Sequence, residues 1–299
     1  MKKNISHSKP GITIVGPGRV GMALAIALSR RRYPIETIVG LRLSKTQKST
    51  ALLDAQPRVL AAKEIQKLAL SEITIIATPD DQIASVADEL AKLEGAATVF
   101  HTSGALSSDA LIKLKERGWQ IGSIHPLVSV SDPMSGAEQF SGSYWCVEGS
   151  RTAVQVGKSL VKDLAGTSFS IASKKKPLYH AAAVMSAGNI VALFDVAIEM
   201  LMNCGLKAGD AKRVLLPLLD STVANLSRTT SEKALTGTFA RGDIATIERH
   251  LRVLSGDDLT EALELYRLLG LRSLKLAKQN GLDPKTAKSI TEQLISKRK

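Results

Sequence analysis

Residues 11–21 read Gly-Ile-Thr-Ile-Val-Gly-Pro-Gly-Arg-Val-Gly, and a helix-forming run follows at once to about Arg31. The apolar residues from Ile12 to Val15 predict a short buried strand, so the glycines fall in a turn between a strand and a helix. In that setting the spacing Gly16-x-Gly18-x-x-Gly21 is typical of a dinucleotide-binding turn. A glycine-rich turn in another kind of α/β protein is the alternative.

Each position of this turn has a physical role. Gly16 allows the tight turn, Gly18 lets the backbone approach a pyrophosphate, and Gly21 lets the helix pack close to the strand. Arg19 and Val20 begin the helix, whose N-terminal N–H groups and dipole favour phosphate. We therefore predict that these five residues contact a dinucleotide cofactor.

Strands and helices alternate along the first part of the chain. Strands are predicted at 12–15, 35–41, 59–60, 73–77, 98–100, 120–124, 144–147 and 169–171. After about Ser173 only helices are predicted, at 177–204, 210–227, 243–254, 257–280 and 284–297, with Asp210, Asp243, Asp257 and Asp283 as N-caps. The predicted fold class is α/β, with a doubly wound, mainly parallel sheet at 1–173 and an all-α domain at 174–299.

The 299-residue chain carries a formal net charge of +12. Its basic clusters, at 30–32, 174–176 and 297–299, are short, and aromatic residues make up only 4% of the chain, which argues against a nucleic-acid surface. A phosphorylated cofactor and a small anionic substrate are sufficient reason for a positive cleft. Cys146 and Cys204 lie far apart with no metal-ligand spacing, so we expect no metal site and a reducing compartment.

Two further features bear on location. The first ten residues have no apolar core of the kind that a signal peptide needs, so we expect a cytoplasmic protein. Residues 181–202 are apolar and long enough to span a bilayer, but Asn189, Asp195 and Glu199 interrupt them, and such charges are costly in lipid. We predict a long buried helix of the second domain and no membrane contact.

The end of the second strand indicates which dinucleotide is bound. NAD sites place a carboxylate there, whereas NADP sites place an arginine. Here the strand runs into Arg42, Ser44 and Lys45, and the one nearby carboxylate, Glu36, lies at the other end of the strand. We predict that these three residues bind the 2′-phosphate of NADP(H); an ordinary basic loop is the alternative.

Two more segments follow strands and so lie at the ligand-binding edge of the sheet. Thr78 and Pro79 are predicted cofactor contacts, and the aspartates at 80 and 81 are predicted helix caps. Ser103, in His-Thr-Ser-Gly-Ala at 101–105, is a candidate for holding either cofactor or substrate. His125, in His-Pro, is the candidate general acid, because imidazole exchanges protons near neutral pH.

The long apolar helix supplies the remaining candidates. Ser186 and Asn189 are three residues apart, so both can face a substrate. Tyr179 precedes Ser186 by seven residues and lies on nearly the same face, whereas His180 is about half a turn out of phase with Asn189. A tightly packed core helix with satisfied polar residues is the alternative.

Together these motifs resemble one family. Gly-Pro-Gly-Arg-Val-Gly at 16–21, His-Thr-Ser-Gly-Ala at 101–105, His-Pro at 125–126, Tyr-His-Ala-Ala-Ala at 179–183 with Asn189, and Leu-Thr-Gly…Ala-Arg-Gly-Asp at 235–243 are similar to bacterial proteins that join a Rossmann-like domain to a DUF2520 domain. That family is similar to the 6-phosphogluconate dehydrogenase-like superfamily. The resemblance implies an NADP-binding domain and a helical domain that forms a homodimer.

Some proteins of this type are assigned as an alternative form of ketopantoate reductase. The wider superfamily carries a catalytic lysine four residues before an asparagine; if Asn189 is that asparagine, the lysine position is Met185. His125-Pro126 resembles instead the His-Pro of prephenate dehydrogenases, where the histidine handles the substrate hydroxyl. Lys176, at the start of the long helix, is the fallback candidate for a catalytic lysine.

We therefore expect an NADPH-dependent oxidoreductase that reduces a small 2-keto acid, with 2-dehydropantoate (ketopantoate) to pantoate as the best single candidate. His125 would be the acid, and Ser103, Ser186 and Asn189 would hold the substrate. Two alternatives stay open: a non-catalytic NADP-binding regulatory protein, and a reductase of another small substrate such as an imine or a 3-hydroxy acid.

Overall fold

A computed structural model describes residues 9–296, apart from the side chain of Asp257. The chain divides into two compact units, the first ending at Ala187 and the second beginning at Gly188. We call them the sheet unit and the helical unit, and each is described by itself.

The sheet unit contains eight strands. They are β1 (Ile12–Val15), β2 (Ile35–Gly40), β3 (Arg58–Ala61), β4 (Ile73–Ile76), β5 (Thr98–His101), β6 (Gln120–Pro126), β7 (Tyr144–Gly149) and β8 (Thr167–Phe169). Their order in the sheet is β3-β2-β1-β4-β5-β6-β7-β8, and all pairs up to β5–β6 are parallel. β7 is antiparallel to β6 and parallel to β8. The prediction of a doubly wound, mainly parallel sheet is confirmed, and the strand order reverses at β1 and β4, where such folds bind their ligands.

Helices cover both faces of this sheet. Those of the sheet unit are α1 (Arg19–Arg30), α2 (Leu43–Thr50), α3 (Asp80–Leu90), α4 (Ile112–Glu116), α5 (Pro133–Gln139), α6 (Arg151–Asp163) and α7 (Lys176–Ser186). Sequence analysis missed α5, which begins at an Asp132 cap followed by proline. It also placed the last strand two residues too late, at 169–171.

Two apolar layers form the core of the sheet unit. Alternate residues of each strand point to opposite faces, so Ile14 and Phe100 pack with α1 and α6, while Val15 and Val99 pack with α3. Because β1, β4, β5 and β6 are parallel, their carboxyl ends lie at one edge of the sheet.

The helical unit consists of helices and their connections over the described residues. They are α8 (Gly188–Asn203), α9 (Ala208–Arg228), α10 (Ser231–Ala234), α11 (Thr238–Arg241), α12 (Ile244–Leu254), α13 (Thr260–Gln279) and α14 (Pro284–Ile295). Its small core contains Ile247, Leu274, Ile290 and Leu294.

The predicted caps were only partly right. Asp243 accepts a hydrogen bond from the N–H of Thr246, and Asp283 accepts one from Thr286, so both cap helices as predicted. Asp210 does not: α9 starts at Ala208 with Lys207 as its N-cap residue, which places Asp210 inside the first turn. The prediction for Asp257 falls on a side chain outside those described.

The predicted long buried helix is wrong in two respects. The backbone leaves the helical region at Ala187 (φ −128°, ψ −78°), so α7 ends at Ser186 and α8 begins at Gly188. None of the residues of α8 is buried. The break falls beside Gly188, and glycine has a low helix propensity. Residues 173–203 are long and apolar enough to cross a membrane by length and composition alone, which is weak evidence for one such span.

Candidate active site

Two glycines of the turn, Gly16 and Gly21, leave no room for a side chain. Gly16 has φ +95°, and a Cβ built on it would lie 2.8 Å from the backbone of Ala77. A Cβ on Gly21 would lie 2.1 Å from the carbonyl oxygen of Gly16. A Cβ on Gly18, in contrast, would meet no atom within 4 Å, so the turn is open at that point.

The start of α1 is free to bind an anion. Gly18 is the N-cap residue, no side chain caps the helix, and no acidic residue lies in its first turn, which contains Arg19 and Val20. At the carboxyl end of β4, next to Pro79, the buried Thr78 Oγ1 has no partner among the described residues. Open N–H groups and an unpartnered hydroxyl at the switch point of the sheet fit a dinucleotide.

The end of β2 is basic and exposed. Arg42, Ser44 and Lys45 are all exposed, and neither cation forms an ion pair with a described carboxylate. Glu36 is held elsewhere, since its Oε2 accepts a 2.6 Å hydrogen bond from Ser71. Arg42, Ser44 and Lys45 therefore lie at the opposite end of β2 from the Glu36 carboxylate.

His125 lies near the end of β6, one residue before Pro126. Its Nδ1 is 2.7 Å from the hydroxyl of Tyr179, and its ring meets the rings of Tyr179 and His180 edge to face, with centroids 5.6 Å apart in each pair. Its second nitrogen, Nε2, has no hydrogen-bond partner among the described residues. His125 therefore has one nitrogen fixed by the protein and one available to a ligand.

The imidazole rings of His125 and His180 converge on Gly104. A Cβ built on Gly104 would lie 2.3 Å from Nδ1 of His180 and 2.7 Å from Nε2 of His125. Nδ1 of His180 is buried and has no partner among the described residues. Glycine is needed at this position because two ring nitrogens occupy the space of a side chain.

Lys176 is fully buried at the start of α7. Its Nζ donates hydrogen bonds to the Ser103 carbonyl oxygen (2.9 Å) and to Ser123 Oγ (2.8 Å). No described carboxylate forms an ion pair with it. Burial lowers the pKa of the Lys176 ammonium, an effect that Cys146 and Glu148 partly oppose.

Glu148 is a second buried charge nearby, on β7 beside Ser123. It accepts hydrogen bonds from the backbone N–H of Ser108 (2.7 Å), from the Ser108 hydroxyl (2.9 Å) and from the Ser173 hydroxyl (2.9 Å). These bonds satisfy the carboxylate and tie the segment that precedes α7 to the sheet.

Burial also controls the titration of the site. Desolvation, followed by the charge of Lys176, lowers the pKa of His125 to about 3. Desolvation likewise lowers the pKa of His101 to about 4, although its hydrogen bond to the Ser107 carbonyl opposes this shift. Burial raises the pKa of the Tyr179 phenol well above its usual value. At neutral pH both imidazoles and the phenol are therefore uncharged.

Two of the predicted polar residues have structural contacts. His101 accepts a hydrogen bond from the N–H of Ser103 at Nδ1 and so orients the loop. The Ser103 hydroxyl donates to Asp80 (2.8 Å) and accepts from the N–H groups of Ala105 and Leu106. A ligand contact of Ser103 stays a prediction.

The proposed capping role of residues 80 and 81 is wrong. Pro79 occupies the N-cap position of α3, and no side chain caps this helix. Asp80 lies in its first turn, where its carboxylate holds the Ser103 loop instead.

Ser186 and Asn189 fall on either side of the break at Ala187. The Ser186 hydroxyl donates to the Ala183 carbonyl, and both residues are exposed. Their helical spacing therefore does not place them on one continuous face, and their substrate contacts stay predictions.

Sequence analysis named Lys176, Tyr179 and His180 separately but did not place the three on one face of a helix. Lys176, Tyr179 and His180 have the spacing i, i+3, i+4, which places three side chains on one face of a helix. The sequence comparison of His180 with Asn189 assumed a continuous helix, which the break at Ala187 interrupts. The i, i+3, i+4 spacing that begins at Lys176 is the signal that would have identified this polar face.

Two family models match the chain. A Rossmann-like domain matches residues 1–126, and DUF2520, a domain of unknown function, matches residues 143–273. The two models match the chain in the order that its motifs predicted. The resemblance drawn from its motifs is thereby confirmed. No curated protein matches the chain in sequence.

Solved structures show the same fold. Protein TM1727 from Thermotoga maritima is 23% identical, with a TM-score of 0.71 over 90% of this chain and 99% of that one. The candidate NADP oxidoreductase BF3122 from Bacteroides fragilis has the same TM-score and coverage at 20% identity. A 1-pyrroline-5-carboxylate reductase from Streptococcus pyogenes matches with a TM-score of 0.60 at 16% identity, over 95% of this chain and 99% of that one.

Proposed function

We propose that this Rossmann-like/DUF2520 protein is an NADPH-dependent reductase of a small 2-keto acid, and that 2-dehydropantoate is its substrate. The observation that carries the proposal is the unpartnered Nε2 of His125, at the same sheet edge as the open dinucleotide turn. The names of two structural neighbours, an NADP oxidoreductase candidate and a pyrroline-carboxylate reductase, support an oxidoreductase with this fold.

The preference for NADP rests on the exposed end of β2. Arg42 offers a planar fork for a phosphate and Lys45 adds charge, while Ser44 offers a hydroxyl. Arg42→Ala should weaken NADPH binding by about 1–3 kcal/mol, the range for a charge-assisted hydrogen bond, and leave NADH binding nearly unchanged. Titration of both cofactors tests this, with Arg58→Ala, an exposed arginine of β3, as the matched control. Tighter binding of NADH by the wild type would contradict it.

The reaction needs a hydride and a proton. NADPH, when bound, would supply the hydride for the carbonyl carbon, and the π electrons of the carbonyl would move to its oxygen. His125 then gives its Nε2 proton to that oxygen, which forms the product hydroxyl, and the ring regains a proton from water. Because burial disfavours the imidazolium, the donor would be the neutral ring, whose Nε2–H would hydrogen-bond the carbonyl oxygen as negative charge develops there.

Turnover of NADPH with ketopantoate is the direct test. Pure protein that binds NADPH should oxidise it on adding ketopantoate and form pantoate. No oxidation by NADPH-binding protein would reject this substrate. A panel of other 2-keto acids, 3-hydroxy acids and cyclic imines identifies the substrate in that case, and no turnover across the panel would favour a regulatory NADP-binding protein.

His125→Asn tests the acid. The variant should lose about 10²- to 10⁴-fold in kcat, the usual range for a general acid, with NADPH affinity unchanged. His250→Asn, which changes an exposed histidine of the helical unit, is the control and should retain full activity. If His125→Asn retains wild-type turnover, another group is the acid.

An imine reductase is the second candidate function. It is favoured by the likeness to the pyrroline-carboxylate reductase and by the absence of a lysine at Met185. Cyclic imines carrying a carboxylate are therefore the first alternative substrates to assay.

We further propose a cytoplasmic homodimer formed through the helical unit, with no nucleic-acid or membrane partner. α8 has no buried residue, and its apolar Val191 is 70% exposed in the single chain. Sedimentation should show a dimer that Val191→Lys dissociates, whereas Leu52→Lys, at an exposed site of the sheet unit, should not. A monomeric wild type would reject the dimer.

A further inference from the structure

The polar face of α7 contains groups that the proposed proton transfer does not use directly. Tyr179 contacts Nδ1 of His125, on the ring edge away from the ligand-free Nε2. Lys176, one turn earlier, is completely buried and cannot reach a ligand. Burying a polar or charged side chain costs stability unless it forms hydrogen bonds, so the placement of these two residues needs a physical reason.

The direction of the Tyr179–His125 hydrogen bond defines the tautomer of His125. The phenol stays protonated, and its proton has no acceptor among the described residues except Nδ1 of His125. If the phenol donates to Nδ1, the single proton of the neutral imidazole must reside on Nε2. The opposite direction would leave the phenol proton without a protein acceptor and Nε2 without a proton to give.

Lys176 supports this arrangement in two ways. Its two hydrogen bonds join the first turn of α7 to the loop after β5, at Ser103, and to β6, at Ser123. Tyr179 is three residues later, so the same bonds set its position opposite His125. The ammonium charge also opposes a second proton on the imidazole.

We propose that Lys176 and Tyr179 are positioning residues that hold His125 in its neutral, Nε2-protonated tautomer. This proposal rests on the role of His125 in the proposed function. It adds to that function the two residues that keep the proton on Nε2, the nitrogen available to a ligand.

Charged and titratable groups from four elements surround this arrangement. They are His101 at the end of β5, Cys146 and Glu148 on β7, Asp80 on α3, and Lys176, Tyr179 and His180 on α7. Cys146 is the cross-strand partner of His125 and is uncharged at neutral pH, because burial raises the pKa of its thiol. The positive charge of Lys176 opposes protonation of His125, so removing it should make that protonation easier.

Nitrogen-15 NMR of histidine-labelled protein measures the tautomer without any substrate. The chain has five histidines, and the signals missing from His125→Asn identify those of His125. We expect a protonated Nε2 and an unprotonated Nδ1 that do not change between pH 5 and 8. A protonated Nδ1, or an imidazolium at pH 6, would overturn the proposal.

Tyr179→Phe removes only the hydroxyl. The two tautomers of His125 should then become mixed, and kcat should fall by at least about tenfold while the KM for NADPH stays constant, because a histidine in the wrong tautomer is a poor catalyst. Tyr144→Phe, at an exposed tyrosine of β7, is the matched control and should change neither quantity. An unchanged tautomer ratio in Tyr179→Phe would overturn the role of Tyr179.

Comparing Lys176→Met with Ser123→Ala separates the effect of the ammonium charge from the effect of the hydrogen bond that anchors α7 to β6. The methionine variant should raise the apparent pKa of His125, although burial, the larger cause, still keeps it below its usual value, whereas Ser123→Ala keeps the charge and should mainly mix the tautomers. Ser123→Ala also covers the case in which Lys176→Met does not fold, and Lys174→Met, at an exposed lysine, is the control. If neither variant alters the His125 signals, the role of Lys176 is overturned. These NMR results stand even if every keto acid is inert, so failure of the proposed function is distinguishable.

Discussion

The sheet unit and the helical unit bury their apolar side chains to very different extents. In the sheet unit, Phe100 and Trp145 are fully buried between the strands and their covering helices. In the helical unit, α8 buries none of its residues and α9 buries only Ala211, although both helices are apolar along much of their length. Because apolar burial is the main favourable term in folding, one unit has its core within one chain and the other leaves two helices uncovered.

This difference shows where each unit obtains its stability. The sheet unit can hold polar groups such as Lys176 and Glu148 in its interior, because a rigid apolar framework surrounds them and fixes their hydrogen bonds. The helical unit has exposed apolar faces of the kind that bind another surface. The following substitutions test the comparison.

The largest effect should come from the core of the sheet unit. Phe100→Ala should lower the free energy of unfolding by about 3–5 kcal/mol, the range for a buried phenylalanine. Val191→Ala in α8 should cost less than about 0.5 kcal/mol in a monomer, because the side chain is 70% exposed. Urea unfolding measures both, and a large cost for Val191→Ala that depends on protein concentration would show that this face is covered by a second chain.

A smaller effect should follow from the buried histidine of the sheet unit. His101 has a pKa of about 4 in the folded protein and 6.5 when unfolded, so between these values the unfolded chain binds the extra proton. Stability should therefore fall as the pH decreases from 6.5 to 4, by up to about 1.4 kcal/mol per pH unit from this residue.

His101→Gln should reduce the difference in unfolding free energy between pH 7 and pH 5. His250→Gln, at an exposed histidine of the helical unit, should leave that difference as in the wild type. Equal differences in all three proteins would show that His101 does not contribute to acid sensitivity.

The smallest effect should appear at the helix caps of the helical unit. Asp283 accepts hydrogen bonds from the backbone and hydroxyl of Thr286, so Asp283→Ala should cost about 1 kcal/mol. Asp210→Ala, at an aspartate within the first turn of α9, should cost less, since it removes no cap. A cost at Asp210 equal to that at Asp283 would contradict this assignment.

Local patterns were sufficient for most of the sheet unit. The apolar run at 12–15, the glycines at 16, 18 and 21, and the alternation of strands and helices each depend on residues close in the chain. The caps at Asp243 and Asp283 were also predicted correctly, because a cap and its helix are adjacent. The error at Asp210 arose because an aspartate in a first turn resembles a cap in sequence.

The candidate site was predicted less completely, because its contacts join distant parts of the chain. His125 was identified from its place after a strand, but its partner Tyr179 lies 54 residues further on. The break at Ala187 also invalidated a phase argument that assumed one continuous helix.

By itself the sequence determined the α/β fold, the dinucleotide turn and the basic end of β2, because each depends on backbone preferences and side chains within a short segment. Only the tertiary structure decided that Lys176 is buried between the loop after β5 and strand β6, that Tyr179 fixes one nitrogen of His125, and that two imidazoles meet over Gly104. Those features depend on distances between segments that are remote in sequence, and packing alone sets such distances.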